Sequence, residues 1–418
     1  MTEPDLATLS PDAERMWADI MELSSIVDDA SPGWSREVFS EPYKASREWT
    51  LARMRGAGLE TSIDAAGNIV GRLPGLDPNA PSIVTGSHTD TVHSGGRFDG
   101  IVGVMGAIEA ARTLQESGTR LTSDLIVVDF LGEEANDFGV SCVGSRAIAG
   151  VLEPGHLQRK NRDGVSMGDT MAAFGLDPHA AVSMAWNPRS VKSYIELHVE
   201  QGPMLETAGN EIGVVTSIAG IERLMAVFTG RADHAGTTPM DQRADALIAA
   251  AEAILTVERV GCGAPVHGVT TTGKIATGQG AFNVVPDSST IWAEIRSIDP
   301  SWLTGARRRI AEQIATDAAK RGVGVAIDLL NDQDPVPAAQ SMQDTVAAAA
   351  GSLGLNWAAV PSGAGHDAAH MAHLGPMGMI FVPSRGGRSH CPEEWTDINH
   401  LRSGVQVLAA TLMRLDQA

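Results

Sequence analysis

Five side chains with metal-ligand chemistry stand where short apolar runs of the sequence end. His88 follows Ser82-Ile83-Val84-Thr85-Gly86-Ser87, and Asp99 lies on the glycine-rich segment Gly95-Gly96-Arg97-Phe98-Asp99-Gly100. Loop glycines let the backbone bend until His88 and Asp99 meet at one cation, and Asp90 is placed to orient the His88 imidazole. Glu133 and Glu134 end the most apolar run of the chain, 124–131. Two adjacent carboxylates there repel each other unless cations lie near, so one can ligate and the other can move protons. His198 ends Tyr194-Ile195-Glu196-Leu197-His198, and His390 closes Gly386-Gly387-Arg388-Ser389-His390, just past the apolar run 379–382. One such residue alone would read as an ordinary polar side chain of a turn. Five at four strand ends point to a cation site, because ligands of open α/β sheets bind beyond the carboxyl ends of the strands.

The elements that must position these residues are legible from periodicity. Residues 10–57 read as largely helical, with Ser10-Pro11-Asp12 as a capped start and 42–54 as a second amphipathic segment. The β-branched runs 82–86, 124–131 and 379–382 suit buried strands, and the pattern 103–114 between the first two suits a helix. That alternation indicates α/β layers. From residue 218 the rhythm changes to strand 223–228, helix 243–257, strands 266–275 and 289–296, helix 302–319 and strand 323–329. Strand, helix, two strands, helix, strand is the split pattern of a ferredoxin-like α+β domain, inserted into the larger one.

Composition bounds the function. The chain has 418 residues, 43% of them hydrophobic, enough for two or more globular units. Lys and Arg total 31 against 51 for Asp and Glu, a net charge of -20, which excludes nucleic acid as a partner. An anionic substrate must then be held by a few local cations. The 3 cysteines, Cys142, Cys262 and Cys391, show no CxxC spacing, so any metal is held by His and carboxylate rather than thiolate. Met1-Thr2-Glu3-Pro4-Asp5 lacks the basic start of a secretory signal, and no apolar run reaches the roughly 18 residues of a membrane span. A cytoplasmic protein without a membrane partner is expected.

Taken together, the segments 86–90, 95–100, 132–134, 196–203, 233–240, 362–368 and 382–395 resemble one group over nearly the whole chain. It is the N-carbamoyl-L-amino-acid hydrolase and allantoate amidohydrolase branch of the dinuclear metallopeptidase and acylase superfamily. The resemblance implies a large catalytic domain, 1–217 and 331–418, with a mixed central sheet flanked by helices, and an inserted lid and dimerisation domain, 218–330. It implies two divalent metal ions, Zn²⁺ or Mn²⁺, Co²⁺ or Ni²⁺, bridged by Asp99. His88 and His198 would complete one site, and Glu134 and His390 the other. Glu133 is then the natural general base for a water shared by the cations. A His at 198, where peptidase relatives tend to carry an acidic residue, points toward the carbamoylase side.

For the substrate, the resemblance implies that Asn283 and Arg296 hold a carboxylate, Arg by two parallel hydrogen bonds. Gln201 in Glu200-Gln201-Gly202-Pro203 is placed to hydrogen-bond a ureido or amide group. Backbone groups of Gly363 or Ala364 would touch the substrate, with His366 and Asp367 bracing the metal shell. His234 would reach the active site of a second copy and stabilise an oxyanion, making a homodimer the catalytic unit. One departure stands beside the carboxylate pair: Ala135-Asn136-Asp137 occupies a stretch where relatives usually carry glycine first and arginine third. The expected function is a metal-dependent amidohydrolase of small anionic substrates, N-carbamoyl-L-amino acids before allantoate or N-acyl amino acids. The reading from another class is a silent relative that only binds a small ligand, which the intact ligand set and Glu133 count against.

Overall fold

The computed structural model describes residues 10–265, 267–278 and 280–417, with the backbone alone at 331. The segment Met1–Asp5 and the first residue of the expected strand 266–275 lie outside the described residues. Two compact units result. One comprises the chain up to Thr216, Ala338–Val360 and everything from His366; the other is Ser217–Pro337 with Pro361–Gly365.

In the larger unit, Asp12 accepts the Arg15 N–H to cap helix Ala13–Leu23, and Ser40 accepts from Tyr43 to cap helix Glu41–Gly56. Residues 24–40 between them are not helical, contrary to the expectation, because Asp28, Ser31, Pro32 and Gly33 favour turns. Their path is fixed from inside. The fully buried Arg36 donates to Leu23 O, Ile26 O and, at 2.7 Å, to Thr89 O, tying this loop to the segment just past His88.

The central sheet is mixed. Strands Leu125–Phe130, Ser82–His88, Val191–Val199 and Met377–Val382 lie side by side and parallel, in that order. Antiparallel neighbours follow on both sides, Ile69–Leu73 next to the first and Ile212–Ile218 next to the last. Helices Ile101–Glu116 and Ile398–Gln417 pack in one apolar core with Ile195, Leu197 and Val199, while Leu131, Val143 and Met167 belong to a second. With both faces covered, the four parallel strands are nearly continuous buried runs, which is why they were legible without alternation. Their carboxyl ends fall along one edge.

The second unit is an antiparallel sheet in the order Gly324–Gln333, Gly220–Thr229, Ser288–Ser297, Val269–Thr277. Helices Ala246–Cys262 and Pro300–Lys320, capped by Asp245 and Asp299, cover one face through Ala246, Ala249, Ala250, Ala253, Ala306 and Ile310. This is the inserted ferredoxin-like α+β unit. The boundary expected at 330 falls inside a strand, which continues pairing to Gln333 opposite Ile221. Pro361–Gly365 groups with this unit as well, a long-range association that no local pattern marks. Burial alternates along Ser288–Ser297, so Trp292, Glu294 and Arg296 share the face away from the helices and line a cavity of about 670 Å³. Among the described residues no helix is long and apolar enough to cross a membrane.

Candidate metal centre

Each of the four parallel strands delivers its following residues to one place in the larger unit. His88, buried at the end of its strand, has Nδ1 3.0 Å from Asp90 O. A carbonyl only accepts, so Nδ1 carries the proton and the Nε2 lone pair faces Asp99 Oδ1 at 3.8 Å and Glu133 Oε2 at 3.6 Å. Asp90 thus sits where it can orient His88, with its carbonyl on Nδ1 and a carboxylate oxygen 3.6 Å from the same nitrogen. The carboxylate also accepts the N–H groups of Glu133 and Glu134, at 3.2 and 3.1 Å, and fixes the acidic pair. His198 repeats the arrangement. Its Nδ1 lies 2.9 Å from Val199 O, while Nε2 accepts the Gly100 N–H at 3.2 Å and sits 3.2 Å from Asp99 Oδ1. Gly100 is required at this spot: its φ is +67°, and a Cβ would lie 2.3 Å from His88 Nε2.

On the far side of Asp99, His390 Nε2 is 3.0 Å from Asp99 Oδ2 and 3.5 Å from Glu134 Oε1. Two groups of three potential ligands thus share Asp99: His88, Asp99 and His198, and Asp99, Glu134 and His390, with the ligand atoms of each group within 4.8 Å of one another. Glu134 Oε1 is buried and accepts no hydrogen bond among the described residues. Burial raises Glu134 to about 7, with the Asp99 charge adding to the effect and His390 opposing it. Burial also holds Glu133 well above the carboxylate range, opposed by His88 and reinforced by Glu134. Partial burial lowers His390, but its bond to Asp99 and the charge of Glu134 outweigh that and leave it raised. Buried carboxylates crowded against imidazole lone pairs are what a divalent cation relieves, so this donor set fits one.

The loops bear the cost of this convergence. Cys142, Gln201 and His390 adopt left-handed backbone angles, φ +55°, +58° and +54°, at roughly 1–2 kcal/mol each for a residue with a Cβ. Cys142 Sγ donates to Glu133 Oε1 at 3.5 Å, and Gln201 Nε2 donates to Asp99 Oδ2 at 2.7 Å.

A third cluster joins Glu196, whose part was missed, to His198 and to His366, which was expected to brace the metal shell. Both Glu196 oxygens accept hydrogen bonds, from Ser87 Oγ at 2.7 Å and Tyr194 OH at 2.8 Å, which tie this carboxylate to the strands that carry His88 and His198. The signal was present: period two puts Tyr194, Glu196 and His198 on one face of a buried strand, where an unpaired Glu is untenable. The His366 ring packs edge-on against His198 at 4.6 Å, and Asp367 accepts from Ser145 Oγ at 2.5 Å. Beside Glu134, a cavity of about 260 Å³ includes Phe39, Asn136, Asp137 and Arg162 in its lining. Asp137, where relatives were expected to carry arginine, pairs there with Arg162 through two bonds of 2.8 and 3.0 Å.

The remaining candidates lie in the second unit. His234 and Asn283 are brought together, since Asp233–His234 pairs with Val284–Val285 and Ala235 N donates to Asn283 O. Arg296 donates to Glu294 Oε1 at 2.5 Å and to Gly363 O at 3.0 Å. The Ala364 N–H is taken by Ser362 Oγ at 3.1 Å.

An α/β unit that gathers imidazoles and carboxylates at parallel strand ends, interrupted by a ferredoxin-like insertion, defines a class of metal-dependent hydrolases. The chain belongs to Peptidase family M20/M25/M40, which matches residues 84–414 and whose enzymes use divalent metal ions. It is 40% identical over 406 residues to the N-carbamoyl-L-amino-acid amidohydrolase of Paenarthrobacter aurescens, covering 97% of this chain and 98% of that one. It is 38% identical over 417 residues to the ureidoglycolate hydrolase of Arabidopsis thaliana, covering 98% and 88%. The crystal structure of AtUAH in complex with glyoxylate superposes with a TM-score of 0.91 at 36% identity, covering 99% of this chain and 100% of that one. The protein is a hydrolase acting on carbon–nitrogen bonds other than peptide bonds, and the reading of a silent ligand binder falls away.

Proposed function

We propose that this protein hydrolyses the ureido bond of small anionic N-carbamoyl-L-amino acids, releasing the amino acid, carbon dioxide and ammonia. The observation that carries the reading is the pair of ligand groups joined at Asp99, with Glu133 outside both yet 3.6 Å from His88 Nε2. In this reading two divalent ions would be held by Asp99 together with His88 and His198, and with Glu134 and His390. Imidazole and carboxylate ligands suit Zn²⁺, Mn²⁺, Co²⁺ or Ni²⁺. Bound there, such ions would supply Lewis acidity, lowering the pKa of water and polarising a carbonyl. Glu133 accepts the proton of the attacking water and returns it to the departing nitrogen. Gln201 hydrogen-bonds the ureido group, and Asn283 and Arg296 hold the carboxylate, with backbone groups of Gly363 or Ala364 against the substrate. His234 of a second copy donates to the oxyanion, so the working unit is a homodimer.

Arg296 gives this reading a direct test. Its guanidinium is already oriented by Glu294 and Gly363 O, which lowers the cost of placing two parallel donors on a carboxylate. Arg296→Lys keeps the charge and loses that fork. KM for carboxylate-bearing substrates is expected to rise about 10- to 100-fold, with kcat much less affected, while a substrate amidated at the carboxyl group shows no such change. Steady-state kinetics on the two substrates checks this.

A second reading, hydrolysis of ureidoglycolate, is favoured by the likeness to the Arabidopsis enzyme. Ureidoglycolate also carries a carbamoyl nitrogen on the carbon next to a carboxylate, so the same residues would serve both. Metal-loaded protein assayed on N-carbamoyl-L-amino acids, ureidoglycolate, allantoate and N-acetyl-L-amino acids separates these readings. The proposal expects the fastest ammonia release from an N-carbamoyl-L-amino acid. Turnover of N-acetyl compounds alone would sink it.

A further inference from the structure

Glu394 lies in the Cys391-Pro392-Glu393-Glu394-Trp395-Thr396 stretch, and nothing above gives it a role. Its carboxylate is buried, with the residue 1% exposed, and it touches the two loops that carry Asp99 and His390. Oε1 accepts the N–H groups of Phe98 at 2.8 Å and Asp99 at 3.1 Å. Oε2 lies 2.6 Å from Ser389 Oγ, the residue before His390. The loop bearing Asp99 can approach this closely because residue 96 is glycine: a Cβ there would sit 2.1 Å from Glu394 Oε1. Trp395 locks the neighbouring position by packing edge-on against Phe98, at 5.5 Å, and Trp17, at 5.3 Å.

We infer that Glu394 is a positioning residue that sets the spacing between Asp99 and His390 and thereby the metal affinity of the group they share with Glu134. The inference rests on the proposed ligand roles of Asp99 and His390. A second consequence follows from the Ser389 hydroxyl, which has one proton and two carboxylates in reach, Glu394 Oε2 at 2.6 Å and Asp99 Oδ2 at 3.0 Å. The shorter contact takes the proton, so Glu394 keeps it away from the Asp99 oxygen nearest His390. Without Glu394 the hydroxyl turns to Asp99 and competes with a cation for that oxygen.

The test reads metal rather than turnover. Zn²⁺ affinity is measured on the full-length chain by chelator competition, for wild type, Glu394→Ala, Ser389→Ala and Asp99→Asn, with thermal melting of each metal-free protein as the check on folding. Glu394→Ala is expected to weaken Zn²⁺ binding about 10- to 100-fold while the protein still melts cooperatively. Removing the hydroxyl as well, in Glu394→Ala with Ser389→Ala, is expected to recover part of the loss, which a merely structural brace would not do. Should Glu394→Ala fail to fold, Ser389→Ala alone cuts the link to the His390 loop and is expected to weaken binding in the same direction. Wild-type affinity in both Glu394→Ala and Ser389→Ala, beside lost affinity in Asp99→Asn, would overturn this inference and leave the ligand assignment standing. Wild-type affinity in Asp99→Asn would overturn both.

Discussion

Glu133→Ala is expected to retain the full metal content of the protein and to lose about 10²- to 10⁴-fold in turnover. The separation of the two effects follows from geometry. Glu133 belongs to neither ligand group, whereas its neighbour Glu134 lies in the one with Asp99 and His390. The pair is held as a unit by the Asp90 carboxylate, and Cys142, in its left-handed turn, donates its thiol to Glu133 Oε1. Oε2 is left facing the same lone pair of His88 that faces Asp99. A carboxylate fixed beside the proposed ligands, but not one of them, is suited to taking a proton from a molecule they would hold. Elemental analysis of the purified variant gives the metal content, and single-turnover kinetics isolates the chemical step. Near-normal turnover at full occupancy would remove Glu133 from this role. Glu133→Gln, which keeps the shape and loses the basicity, should behave like Glu133→Ala.

The parallel strand ends were legible because a strand covered by helices on both faces must be an unbroken apolar run, and a His or Glu pair at its end interrupts that run visibly. The same logic hides whatever holds those residues. Glu394 reaches the Asp99 loop across 295 positions of chain, and the reciprocal requirement for glycine at 96 appears only when the two loops meet. Arg36 is harder still. A single arginine in a turn-rich stretch resembles a surface residue, yet it is fully buried, and burial, opposed by Asp129 and Asp90, lowers it to about 10. Its three main-chain acceptors belong to segments that a local reading treats separately. The boundary of the inserted unit was displaced for a related reason. Strand-like character fades near 329, but pairing with Gly220–Thr229 carries the last strand to Gln333, and Pro361–Gly365 joins that unit from the far side of the return chain. Hydrophobic periodicity reports which face of an element is buried; it carries no information about which distant loop supplies the missing hydrogen bond.

His234→Ala is expected to lower turnover about 100- to 1000-fold with metal binding intact, the usual consequence of removing one oxyanion donor. The local structure suits a donor. His234 is exposed on the short pairing of Asp233–His234 with Val284–Val285, and Gly236 donates its N–H to His234 Nδ1 at 3.0 Å. A neutral ring in this bond carries its proton on Nε2. Arg243 braces that loop by donating to Ala235 O at 2.6 Å and Thr238 O at 3.0 Å, so little ordering is left to be done when an oxyanion forms. Whether the donor serves its own subunit or a second copy is decided by mixing inactive chains. In the proposed homodimer, His234→Ala and Glu133→Ala subunits mixed one to one and exchanging freely give half mixed dimers. In a mixed dimer that shares His234 across copies, one of the two sites holds both an intact Glu133 and an intact His234. About a quarter of wild-type activity should return. No recovery at any ratio, with subunit exchange verified by a tag on one variant, would mean that His234 does not act across copies.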